Sequence, residues 1–189
     1  PVWPPEGLQP RRFFLQKQAA MSSAPQSAPG QDEMRVNRAL GSGETNRWRT
    51  QILRSDVIMP PRPVAGEGML TWTSSPLPRD LECTGAPVLE LYVSSDREDA
   101  AVFAYLEDVS PDGEVRYVSE APFRLLNRMI DPALPACGLP GSCHSYLRED
   151  AMPLPVGEVV RARFALLPVS HLFHKGHRIR VSLSGHDAD

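Results

Sequence analysis

From Gly68 onward apolar and polar positions alternate with a period of two, the pattern of strands whose successive side chains point to opposite faces of a sheet. In "LTWTS" Leu70 and Trp72 share one face while Thr71 and Thr73 take the other, and "LELYV" turns Leu89, Leu91 and Val93 the same way. "VVRARFALL" sets Val160, Ala162, Phe164 and Leu166 against Arg161 and Arg163; "RIRVSLS" sets Ile179, Val181 and Leu183 against Arg178, Arg180 and Ser182. Each predicts a strand with one face on a core and one in water. "AVFAYLEDV" is apolar on both faces over most of its length, which predicts a central strand covered on both sides. The "SPDGE" that follows puts Pro111 at the first central position of a type I turn, and Gly113 where left-handed backbone closes a bulged hairpin. Strands ending near Val109 and starting near Val115 must therefore meet.

Before Gly68 the pattern is uneven. "PVWPPEG" reads as a linker, "RRFFLQ" as a short strand and "MSSAPQSAPGQDE" as a polar loop; "RVNRALGSGETNRWRTQILRSDV" keeps neither helical nor strand period and reads as loop with room for one helical turn. The organisation expected is an irregular segment over 1–67 that lends one or two early strands, followed by an all-β unit over 68–189. Short strands separated by turn signals, with no amphipathic helix of several turns, predict an antiparallel β-sandwich, in jelly-roll form. Both ends read as cuts in a longer chain, at Pro1 and at Asp189. A sandwich stopped before its last strand would leave a sheet edge unpaired, a place for association.

Composition narrows the partners. The net charge of −3 supplies no basic field for a phosphate backbone, which argues against nucleic acid. No apolar run reaches the roughly 20 residues of a membrane-spanning helix, and no secretory signal opens the chain. Twenty prolines in 189 residues favour short elements joined by turns. Cys137 and Cys143 share a Pro/Gly-rich loop and read either as a bridge or as two loop thiols in a reducing compartment, with Cys83 left over.

Four of the five histidines fall in "HLFHKGHRIRVSLSGHD". On a continuous strand His171, His174 and His177 would alternate faces and could not share an ion, and Gly176 with the strand pattern after it argues against a helix. They are expected in a loop that ends as a strand begins, with no metal and no cofactor implied. A Cys137, Cys143, His144 cluster lacks a fourth ligand and CxxC spacing. No G-x-S-x-G pentapeptide occurs, and His186 with Asp187 and Asp189 resembles a triad in residue type alone. The acids of "SSDREDAAVFAYLEDVSPDGE" do not follow calcium-loop spacing, and "GSGET" lacks the Lys of a phosphate loop. No catalytic residue is expected in this chain.

Several segments together resemble the C-terminal domain of the cocaine esterase and X-Pro dipeptidyl-peptidase (CocE/NonD) family of serine hydrolases. "LTWTSSPLPRDLECTGAPVLELYVSSDREDAAVFAYLEDVSPDGEVRYVSEAPFR" is similar to a family run of two strands around a Gly-containing turn, an "SSD" and an "L-x-DV-x-PDG" hairpin. "LREDAMPLPVGEVVRARFALLPVSHLFHKGHRIRVSLSGHDAD" resembles its close, where an "F-x-x-GHRIR" loop enters a late strand, and "VWPPEG" resembles the link out of a catalytic domain. The match is good over two thirds of the chain and loose over the first third. The resemblance implies a non-catalytic jelly roll related to galactose-binding domains, with Gly85, Asp108, Asp112, Gly113, Gly176, His177 and Arg178 as structural signature positions. It implies that the triad belongs to a preceding α/β-hydrolase domain of the same polypeptide, which would be the main partner, with a homo-oligomer as a further option; the whole enzyme would cleave esters or amides. Glu120, Ala121 and Pro122 depart from the family pattern and suggest an altered turn, and the Cys137 to Cys143 loop looks like an insertion. The rival reading is a carbohydrate-binding module using Trp3, Trp48 or Trp72, although alternation places Trp72 on the core face.

Overall fold

The computed structural model of the chain describes residues 7–41, 69–134 and 143–188. Ten strands carry the fold: β1 (Phe14–Gln16), β2 (Ala20–Ser22), β3 (Met69–Ser74), β4 (Leu81–Gly85), β5 (Val88–Val93), β6 (Ala101–Val109), β7 (Val115–Arg124), β8 (Val160–Ala165), β9 (Val169–Phe173) and β10 (Arg178–Ser184). The helical content among the described residues is two single 3-10 turns, Leu125–Asn127 and Arg148–Asp150. "RRFFLQ" supplies β1, whereas β2 starts at Ala20 and takes in Met21 and Ser22, the first residues of the stretch read as a polar loop; "PVWPPEG" up to Glu6 and the stretch beyond Gly41 lie outside the described residues.

Six strands form one sheet in the order β1-β2-β3-β10-β6-β7, and two ladders, β4-β9 and β5-β8, complete the set. All pairings are antiparallel except β2 with β3. The alternation decides which side chains meet. Trp72, Val102, Ala104, Leu106, Phe123, Ile179 and Leu183 from the large sheet and Leu89, Ala162, Phe164 and Phe173 from the ladders belong to one buried cluster, so the ladders pack across the core from the sheet. Phe123 and Phe164 stack at 4.5 Å between ring centroids across that seam. Burial of each such side chain stabilises the fold by about 1.5–3 kcal/mol.

Two local expectations are corrected. Glu120, Ala121 and Pro122 form no turn; they continue β7, whose position at the sheet edge tolerates a residue without an N–H. β10 is flanked by β3 and β6, and the edges of the large sheet among the described strands are β1 and β7. The outer face of the large sheet is wet only in part: Ser182, Ser184, Glu107 and Glu120 are buried there, while Pro122 and Arg124 are exposed. Ser182 Oγ donates to Glu107 Oε2 (2.6 Å), and Tyr105 Oη donates to Asp187 Oδ2 (2.6 Å). Residues 36–40 lie beside the segment that follows β10, where Ala188 N donates to Leu40 O (2.8 Å) and Val36 packs close to Gly185. β6 is an interior strand covered on both sides, as its composition predicts, but β3 and β10 stand nearer the middle of the sheet.

Candidate functional site: an acid and histidine cluster at one end of the core

The hairpin joining β6 to β7 forms as "SPDGE" predicts. Gly113 N donates to Ser110 O (3.0 Å), Ser110 N donates to Glu114 O (2.9 Å), and Gly113 takes φ +91°, a region that favours glycine. Ser110 Oγ donates to the Asp112 carboxylate, which holds that exposed carboxyl below its ordinary range, helped by backbone N–H groups of the turn. β7 has one residue more than β6 in their shared register: Leu106 opposes Ser119 and Glu107 opposes Tyr117, leaving Val118 as a bulge. Beyond the bulge Asp108 lies on the core side of β6, opposite Ile179, at the end of the apolar interior.

The connection from β9 to β10 is a tight turn in which His177 N donates to His174 O (3.0 Å) and Gly176 has φ +86°. Leu77 clasps it through two backbone bonds, Gly176 N to Leu77 O (2.9 Å) and Leu77 N to His177 O (2.8 Å), while Lys175 N donates to Asp80 Oδ1 (2.7 Å). A Cβ on Gly176 would stand 3.6 Å from Pro111 Cγ, so the hairpin tip and this turn are in contact. Arg178 then opens β10 with Nη1 donating to Ser74 O (3.0 Å).

Between these two turns lies Asp108, its side chain only 4% exposed. His177 Nδ1 donates to Asp108 Oδ1 (2.8 Å), and His171 Nε2, from β9, donates to Asp108 Oδ2 (2.9 Å). Because β6 belongs to the large sheet and β9 to a ladder, this carboxylate fastens one layer to the other. Charge-assisted hydrogen bonds of this kind are worth about 1.5–3 kcal/mol each when buried. The expectation that all three histidines sit in a loop is thus partly overturned. His171 is on a strand, and the turn at 174–177 reverses the chain, so that His171 and His177 reach the same acid from two directions. His174 lies outside that pair, with its ring 5.6 Å from that of His177 and its Nδ1 3.9 Å from Asp80 Oδ2.

Of the signature positions, Asp108, Asp112, Gly113, Gly176, His177 and Arg178 fall in or beside these two touching turns. Gly85 does not; it ends β4 at φ +126°, opposite Val169. Sequence reasoning missed His171, Asp80 and Cys83. Cys83 opposes His171 in the β4-β9 register. The thiol packs against the core, however, and burial pushes its pKa up, away from the thiolate a nucleophile requires. Among the described residues no group of three or more His, Cys, Asp or Glu is placed to hold a metal. Cys143 is disulfide-bonded, Cys83 is a free thiol, and Cys137 lies outside the described residues. His144 is buried with its two ring nitrogens against Met129 O (2.7 Å) and Arg163 O (3.0 Å), a structural role. His186 and Asp187 also serve locally, through His186 N to Ser184 Oγ (3.2 Å) and the Tyr105 contact, and Asp189 lies outside the described residues. Trp72 is in the core, while Trp3 and Trp48 lie outside the described residues.

An all-strand unit is what the family resemblance implies, and residues 1–189 match the X-Pro dipeptidyl-peptidase C-terminal non-catalytic domain. The chain belongs to that family. It is 37% identical over 188 residues to a Mycobacterium bovis protein named as a candidate serine esterase, and equally to one from Mycobacterium tuberculosis; the match covers 99% of this chain and 30% of each relative. The chain thus spans under a third of their length. In solved structures the same fold recurs in an aminopeptidase from a marine-sediment Thaumarchaeota archaeon (TM-score 0.70, 21% identity, 100% of this chain and 31% of that one). It recurs in an α-amino acid ester hydrolase (TM-score 0.69, 22% identity, 95% and 29%) and in a CocE/NonD family hydrolase from Staphylococcus aureus (TM-score 0.57, 22% identity, 64% and 23%). As a member of this family the chain is an X-Pro dipeptidyl-peptidase C-terminal non-catalytic domain. Among the described residues no helix is long and apolar enough to cross a membrane.

Proposed function

We propose that this domain, a jelly roll of the galactose-binding type, packs on an α/β-hydrolase catalytic domain of the same polypeptide and helps wall its substrate cleft or an oligomer contact. The unit comprises 68–189, to which residues of 1–67 add early strands. The catalytic domain hydrolyses esters or amides through an acyl-serine intermediate formed on its own serine. Gly85, Asp108, Asp112, Gly113, Gly176, His177 and Arg178 act in this domain by shaping turns and joining layers. The observation that carries the reading is the match of residues 1–189 to a non-catalytic domain family, in relatives that continue for more than twice this length and are named as esterases.

The test compares the polypeptide that carries this chain with a version lacking residues 1–189, and with residues 1–189 alone, on p-nitrophenyl esters of short acyl chains. The chain alone should give the buffer rate, and deletion should lower kcat/KM of the remainder by tenfold or more, roughly 1.4 kcal/mol of transition-state stabilisation. Enzyme-like turnover by residues 1–189, or full activity after their deletion, would overturn the proposal.

A further inference from the structure

At the polar end of the core His174 takes no part in the fastening of the layers, yet it stands beside His177, which does. His174 and His177 flank the β9-β10 turn as first and last residues, with ring centroids 5.6 Å apart and ring planes at 72°. Two imidazoles bound to one ion through nitrogens at about 2.0–2.1 Å have ring centres roughly 5–6 Å apart. His177 gives its Nδ1–H to Asp108, which fixes the tautomer and leaves Nε2 with its lone pair. His174 turns its Nδ1 toward Asp80, 3.9 Å away, and Asp80 is itself held by Lys175 N (2.7 Å). His177 is thus held by a carboxylate at the nitrogen that would not bind metal, the arrangement by which outer carboxylates orient imidazole ligands and raise their basicity, and Asp80 stands within a side-chain rotation of giving His174 the same partner. Gly176 makes the turn tight enough to bring the rings together, and Leu77 holds it by two backbone bonds. His174 is 61% exposed and His177 17%, so water can complete a coordination sphere.

We propose that His174 and His177 form a two-histidine chelate for a divalent first-row cation of borderline softness, Zn²⁺ foremost, through their Nε2 atoms and completed by water. Two protein ligands define an open, reversible site, unlike the closed four-ligand sites that hold a fold together. Asp80 and Asp108 are its positioning residues. Lys175, between the two histidines, places a competing positive charge near the ion and sets the affinity below that of a bare pair.

The test is calorimetric titration of Zn²⁺ into the full chain in a non-chelating buffer at pH 7.5, with cooperative thermal unfolding confirming that every variant is folded. One saturable ion per chain is expected. His174→Ala, at an exposed position, should abolish it, Asp80→Asn should weaken it by about tenfold, and Lys175→Gln should tighten it. His186→Ala should leave it unchanged. As a second readout, Co²⁺ should give visible d–d absorption that Zn²⁺ displaces and His174→Ala removes. Absence of saturable binding to the folded chain, wild-type binding by His174→Ala, or loss of binding in His186→Ala would each overturn the proposal.

Discussion

Both oxygens of Asp108 accept from imidazoles, so removing this one side chain strands two N–H donors that are largely out of water. Asp108→Ala should lower the unfolding free energy by about 3 kcal/mol, read as a lower urea midpoint at unchanged slope. His171→Ala should cost less, since Asp108 keeps His177, and the double variant should fall short of the sum by about 1 kcal/mol. Additive losses would mean that the two side chains act independently. Gly176→Ala meets no steric obstacle, for its new methyl would rest 3.6 Å from Pro111, but a left-handed backbone still penalises it by about 1 kcal/mol. At this scale the sequence pointed to Asp108 and His177 through the family motif. It did not point to His171, because strand parity judges residues along one extended segment and is blind to a turn that folds the segment back.

Short elements show where local geometry and side chain disagree. The β1-β2 hairpin turns through Gln18 and Ala19 at φ +62° and +56°, values that Asn and Gly occupy at lower cost. Gln18→Asn with Ala19→Gly should raise stability by about 0.5–1 kcal/mol, measured as an increase in Tm; a decrease would show that the hairpin is held in this form by contacts those side chains make. On the β5-β8 ladder Arg161 Nη2 donates to Glu90 Oε2 (2.8 Å), and that hydrogen bond holds the Glu90 carboxyl below its ordinary range. A carboxyl depressed in the folded state stabilises the fold above its unfolded pKa, and the gain is lost as pH falls through its folded value. The Tm difference between wild type and Glu90→Gln should therefore be small and positive at pH 7 and vanish in acid; solvent screening keeps it small. Strands were legible here because alternation fixes one face of each. What alternation could not reveal was that part of the opposite face of the large sheet is also covered, since Ser182 reads as wet until Glu107 is placed beside it.

At the scale of the whole molecule the order of strands in space departs from their order in the chain. β10 separates β3 from β6, and its seven residues pair with five of β3 and seven of β6. Without it the large sheet is two detached pieces. The layered, all-strand class was legible from recurrence of short alternating runs and turn signals, whereas sheet order was not, because pairing between distant segments leaves no mark on local periodicity. The interleaving has a consequence during synthesis. As this chain leaves the ribosome, β3 and β6 must wait with facing backbone edges unpaired until the segment after Lys175 has been made. Nascent chains halted before Arg178 should stay protease-sensitive and bind chaperones, and protection should arise abruptly once residue 184 has cleared the exit tunnel.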